Sequence, residues 1–141
     1  MWDLYRRVVA CAEAAARATG ATLRVTQLDN VYEPLKRNQT LLDLFAANMA
    51  TVGLAEGEPI PDRLGSSDIG NVSQVLPAIQ PMIGIAPTGM AIHTRDFAEA
   101  AVQPLAKAGL LAAAKTMAMT TFDLLAEPAK VKAAKDEFAR R

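Results

Sequence analysis

Between Ala98 and Ala126 the chain is dense in alanine and leucine, and Pro128 closes the run. The pattern predicts one long helix, then a shorter one opened by Pro128 at its first position, with Val131, Ala134 and Phe138 inward. A helix of that length sets what the rest of the chain has to pack around. Its most apolar part, Ala106 to Leu125, carries Lys107, Lys115, Asp123 and several threonines, which suits a buried helix of a soluble protein better than a membrane span. Met117 and Met119 read as core filler within it.

The opening residues give a second helix. Trp2, Tyr5, Val9, Ala12 and Ala16 recur every three or four positions on one stripe, and Gly20 stands where a C-terminal cap belongs. Ala21, Leu23 and Val25 then alternate with Thr22, Arg24 and Thr26, the period of a half-exposed, antiparallel strand running to about Leu28. After a polar turn around Glu33, Pro34, Lys36 and Arg37, a further helix is expected from Thr40 to Val52, with Leu41, Leu42, Phe45, Met49 and Val52 on one side. Thr40 and Asp43 have capping-box spacing. Residues 55 to 63 have the composition of a surface loop. Pro77 and Pro81 interrupt the apolar stretch from Val75 to Ile85, which places a second strand late, around Met82 to Ile85. The fold class read from this order is α/β.

The chain has 141 residues, 51% of them hydrophobic and 21% charged, enough apolar surface for a core. Fifteen basic residues balance fifteen acidic ones, so no electrostatic footprint points to nucleic acid or an anionic membrane, and neither is expected as a partner. A lone cysteine, Cys11, and a start that lacks the features of an export signal suggest a reducing, cytoplasmic location.

Few residues offer chemistry. His93 is the sole histidine and is followed by Thr94 and Asp96. Imidazole is a frequent zinc ligand, but a zinc site needs three or four protein ligands and the chain has no second histidine and no cysteine pair. Taken alone, His93 reads as a cap or surface residue. The segment Gly65 to Ser73 gathers Ser66, Ser67, Asp68, Asn71 and Ser73 between glycines, which suits a close approach of backbone to ligand or, more plainly, a serine-capped short helix. No nucleophile elbow is present. Asn38, in the turn before the Thr40 helix, either grips a carboxylate or caps that helix.

Taken in order, Gly65-Ser66-Ser67-Asp68-Ile69-Gly70-Asn71-Val72-Ser73, then Pro77-Ala78-Ile79, His93-Thr94 and Phe97-Ala98-Glu99-Ala100-Ala101 resemble the end of the aminoacylase and glutamate carboxypeptidase family of metallopeptidases. The branch with p-aminobenzoyl-glutamate hydrolases and aminoacylase-like dipeptidases is most similar, and Ala114 to Leu125 followed by Pro128 resembles its C-terminal helix. The resemblance implies a two-domain enzyme, an α/β catalytic domain holding two zinc ions and interrupted by a smaller, ferredoxin-like lid that also mediates dimerisation. Residues 1–37 would be the last helix and strand of the lid, and residues 38–141 the returning half of the catalytic domain.

It further implies that His93 is the last zinc ligand, that Ser66, Ser67 and Asp68 border the substrate, and that Asn38 lies near the substrate carboxylate. The remaining ligands and the general-base glutamate would lie upstream of Met1. Gln80 departs from relatives that often carry histidine there. The function so implied is hydrolysis of an amide bond in a dipeptide, an N-acyl amino acid or an aminobenzoyl-glutamate by metal-activated water, with this chain supplying one zinc ligand and part of the pocket. As an isolated chain it would bind zinc weakly or not at all and be inactive. The expected assembly is a homo-oligomer or a pairing with an upstream half-protein. The alternative reading is a non-catalytic interaction module whose strand from Ala21 to Leu28 pairs with another chain.

Overall fold

The computed structural model describes residues 1–28, 30–57 and 67–140, which divide into two compact units, Met1–Val31 and Tyr32–Arg141. The first unit is one helix, followed by residues without regular secondary structure among those described. Helix α1, Trp2–Thr19, ends at Gly20 with φ 72°, a left-handed geometry that glycine adopts without the clash a Cβ would bring. Asp3 sits in its first turn and Arg17 in its last, both favourable to the helix dipole. Trp2 and Tyr5 meet edge to face, with ring centroids 5.9 Å apart.

The second unit is helical. It comprises α2 (Gln39–Thr51), α3 (Ile69–Val75), α4 (Arg95–Ala100), α5 (Pro104–Ala126) and α6 (Pro128–Ala139). The helices α2, α5 and α6 pack against one another and form its centre. Where the sequence suggests one helix from Ala98, the chain breaks at residues 101–103, and Pro104 opens α5 at its first turn. Proline lacks an N–H and its ring clashes with the preceding turn, so it starts a helix far more easily than it continues one.

The α/β expectation is overturned. A single parallel bridge, between Arg37 and Ala78, is the β pairing among the described residues. Residues 21–28 are exposed, have no regular secondary structure and carry no ladder, so the strand expected of a ferredoxin-like lid does not form. Alternation of apolar and polar residues gives a segment two faces; it does not supply the neighbour whose N–H and C=O groups make a sheet. Met82 to Ile85 is likewise unpaired and instead crosses α5 at Gly109, where an added Cβ would stand 2.8 Å from the Gly84 carbonyl oxygen.

The centre of the second unit is small and polar. Phe45, Ala106 and Ala134 are its buried hydrophobic residues among those described, and Asn38, Asn48, Ser73, Thr116 and Thr120 are buried as well. Each polar side chain has an answer: the Asn48 amide donates to Thr120 Oγ1 at 3.2 Å and to Asp123 Oδ2 at 2.9 Å, and Thr116 Oγ1 donates to the Ala112 carbonyl at 2.9 Å. No buried side-chain polar atom among the described residues lacks a partner. Ala134 is buried on α6 with Val131 and Phe138 half-buried beside it, the inward face its spacing predicts. Met117, expected in the core, is exposed, whereas Met119 is half-buried.

Candidate functional site

His93 lies in the turn between Met90 and α4. Its φ of 62° is left-handed, a region histidine enters more readily than most residues with a Cβ. Thr94 fixes the turn from the next position: its hydroxyl donates to the Ala91 carbonyl at 2.8 Å and accepts from the Phe97 N–H at 3.2 Å, capping α4. The cap of this helix is therefore Thr94, and the His93 side chain is exposed. Asp96 is in the first turn of α4, where its charge favours the helix dipole. The arrangement presents one imidazole to solvent.

Ser67 and Asp68 lead into α3, while Ser66 lies outside the described residues. The Ser67 hydroxyl donates to Gln80 Oε1 at 2.8 Å, so the segment before α3 is tied to the chain beyond it. Asp68 is exposed and its side chain does not cap the helix. The rest of α3 grips residues 33–36 from the side. Asn71 Oδ1 accepts from the Glu33 N–H at 3.2 Å, Ser73 Oγ from the Lys36 N–H at 2.9 Å, and Gln74 Nε2 donates to the Pro34 carbonyl at 2.6 Å. Gly70 lets the backbones touch, since a Cβ there would overlap the Glu33 carbonyl. The polar residues after Asp68 thus serve the neighbouring main chain, a role without a local signal because the partners are 37 to 40 positions away.

Asn38 is 2% exposed. Its Oδ1 accepts from the Leu41 N–H at 3.1 Å and its Nδ2 donates to the Ala134 carbonyl at 2.9 Å. Glu137 of α6 completes the same helix end, one carboxylate oxygen accepting from the Gln39 N–H at 2.8 Å and the other from the Thr40 N–H at 2.8 Å and hydroxyl at 2.9 Å. Asp43 does not close a box with Thr40; it accepts from Gln39 Nε2 at 2.7 Å. The Asn38 amide is engaged at both ends, so gripping a ligand carboxylate would require it to release the cap, the Ala134 carbonyl or both.

No hydrogen bond or ion pair joins His93, Asn38, Ser67 and Asp68 to one another among the described residues. Nor do those residues gather three histidine, cysteine, aspartate or glutamate side chains that could surround a metal ion. The donor set present therefore does not fit a zinc site by itself, because zinc takes three or four protein ligands and His93 is one. An open groove of about 560 Å³ lies between the end of α2 and the middle of α5, lined by Val52, Gly53, Ala108, Leu111, Ala112 and Lys115 among others. Its walls carry no acid and no histidine. No helix among the described residues is long and apolar enough to cross a membrane.

No family model matches the sequence. Among curated proteins, the chain is 33% identical over 138 residues to a mouse protein named Xaa-Arg dipeptidase, an alignment covering 96% of this chain and 32% of that protein. It is 30% identical over 138 residues to the human protein of the same name, covering 96% of this chain and 31% of the relative. The chain thus spans about a third of the length of the curated relatives it matches. Distant homology along nearly its whole length to proteins named as dipeptidases supports a peptidase family for this chain.

Proposed function

We propose that this chain takes part in hydrolysing the amide bond of a dipeptide and provides one metal ligand, His93, and part of the wall of the site. The similarity to the mouse dipeptidase over 96% of the chain carries this reading. The exposed imidazole supports it, held in a turn that Thr94 fixes on both sides, as a ligand that must reach a group outside the chain would be. The other metal ligands and the general base would come from polypeptide equivalent to the two thirds of the relatives that this chain does not match. A dipeptide ending in arginine is the first substrate to try, from the printed name of the relatives.

The test uses alanyl-arginine, zinc and two preparations: the purified chain alone, and the assembly isolated from its source cells through a tag on this chain. The expected result is arginine release by the assembly, lost in His93→Ala together with zinc content, and neither turnover nor stoichiometric zinc in the chain alone. Stoichiometric zinc with turnover in the chain alone would refute the division of labour. An assembly that hydrolyses no dipeptide would refute the peptidase reading.

A further inference from the structure

Helix α5 is packed with its small side inward. Ala106, Gly109, Thr116 and Thr120 are its buried residues, and the close approach of Gly84 at Gly109 shows why that side stays small. On the opposite side Leu110, Ala114, Met117, Thr121 and Leu125 follow one another at helical spacing, with Leu111, Ala118 and Phe122 alongside, and all eight are exposed. Leu110 is 67% exposed, Met117 62%, Phe122 69% and Leu125 78%. The stripe runs for about 22 Å at 1.5 Å per residue. Lys107 and Lys115 are the charges on this side of the helix. Leu111 also lines the open groove beside the end of α2, together with Thr51 and Lys115.

An arrangement with large apolar groups outward and alanine, glycine and threonine inward is the reverse of what an isolated helical domain favours, since removing leucine and phenylalanine side chains from water is what drives burial. We propose that the outer face of α5 is an interface, and that its occupant is the polypeptide equivalent to the part of the dipeptidase relatives outside the region this chain matches. Coverage supplies the occupant: the relatives hold the matched region within a chain about three times as long, and the remainder is tethered beside it at high effective concentration. The identity of the partner rests on the peptidase reading; the location of the interface does not.

The test places a photo-activated benzophenone amino acid at Phe122 or Leu110 of the tagged chain in its source cells, with exposed Lys135 of α6 as the control position. The expected adduct at 122 and 110, absent at 135, is a peptide that aligns with the unmatched two thirds of the Xaa-Arg dipeptidases. An adduct to a second copy, to this chain's own residues or to an unrelated protein would overturn the proposal, as would no adduct at either position. A second measurement guards against misfolding: the double variant Leu110→Glu and Met117→Glu should keep its helical circular dichroism while recovery of the partner falls at least tenfold. Undiminished recovery would overturn the proposal. An assembly that forms through this face and hydrolyses no dipeptide would leave the interface standing and remove the peptidase reading.

Discussion

Two parts of the second unit handle their polar and apolar groups in opposite ways. Along the seam formed by residues 33–40 with α3 and α6, main-chain N–H groups and carbonyls are met by side chains of the same chain, from Asn71 and Ser73 at one end to Asn38 and Glu137 at the other. At the His93 turn and along the outer face of α5, an imidazole and a row of leucine, methionine and phenylalanine side chains stand in solvent. The seam stabilises the chain by itself; the outward parts carry groups whose value depends on something added. Substitutions should therefore cost folding stability along the seam and association or activity outside it.

The largest expected effect is at Gly70. A Cβ there meets backbone and not the end of a flexible side chain, so α3 has to move off residues 33–36 and lose the three hydrogen bonds it makes to them. Gly70→Ala should lower unfolding stability by about 3 kcal/mol, as overpacking a closed contact does. Urea unfolding followed by circular dichroism measures it. A loss well below 1 kcal/mol would show that the seam adjusts, and the contrast with the outer face would weaken.

Asn38→Ala should come next, at about 2 kcal/mol, from the lost helix cap together with a buried carbonyl of Ala134 left without its donor. The same urea titration applies, and Leu110→Glu on the outer face gives the comparison. Were the Glu substitution to cost as much as the Asn38 change, the outer face would be part of the core of this chain, contrary to the contrast drawn here.

The fold, the seam included, is only half readable in the sequence. The ends of α1, its cap at Gly20 and the inward side of α6 follow from local rules of period and capping, and the sequence alone carries them. Asn38 reads as either a cap or a ligand, and in the structure it caps α2. Glu137 had no local signal at all, because it closes the N-terminus of α2 from 97 and 98 positions away. The expected strands failed for the related reason that pairing is non-local: residues 21–28 have the alternation but form no ladder among the described residues. On α5 the sequence suggested burial from overall apolarity, but steric closeness at Gly109 selected the small side for the interior and turned Met117 outward. His93 stood out as the sole histidine, but no spacing rule set its left-handed turn or the exposure of its ring.

The smallest effect sharpens the comparison within one helix. Near α6 two glutamates act on very different terms: Glu137 accepts from main-chain N–H groups at the start of α2, while Glu127 pairs with Lys130 on the surface at 2.8 Å. The hydrogen bond from Lys130 to Glu127 raises the lysine pKa above its ordinary value, with the nearby charges of Asp123 and Glu127 adding to it against partial desolvation. A raised folded-state pKa means the folded chain holds the proton more tightly than the unfolded one. The contribution is then complete below the unfolded lysine pKa and is lost as pH rises through the folded value, so the window is alkaline. Lys130→Met should lower the melting temperature slightly at pH 8, and the difference from the unsubstituted chain should shrink as pH is raised past the lysine range. A surface pair of this kind is screened by salt, so added salt at pH 8 should shrink the difference too. Melting curves with and without salt check both trends, and a difference that ignores pH and salt would mean that Lys130 acts through the packing of its methylene stem instead of its charge.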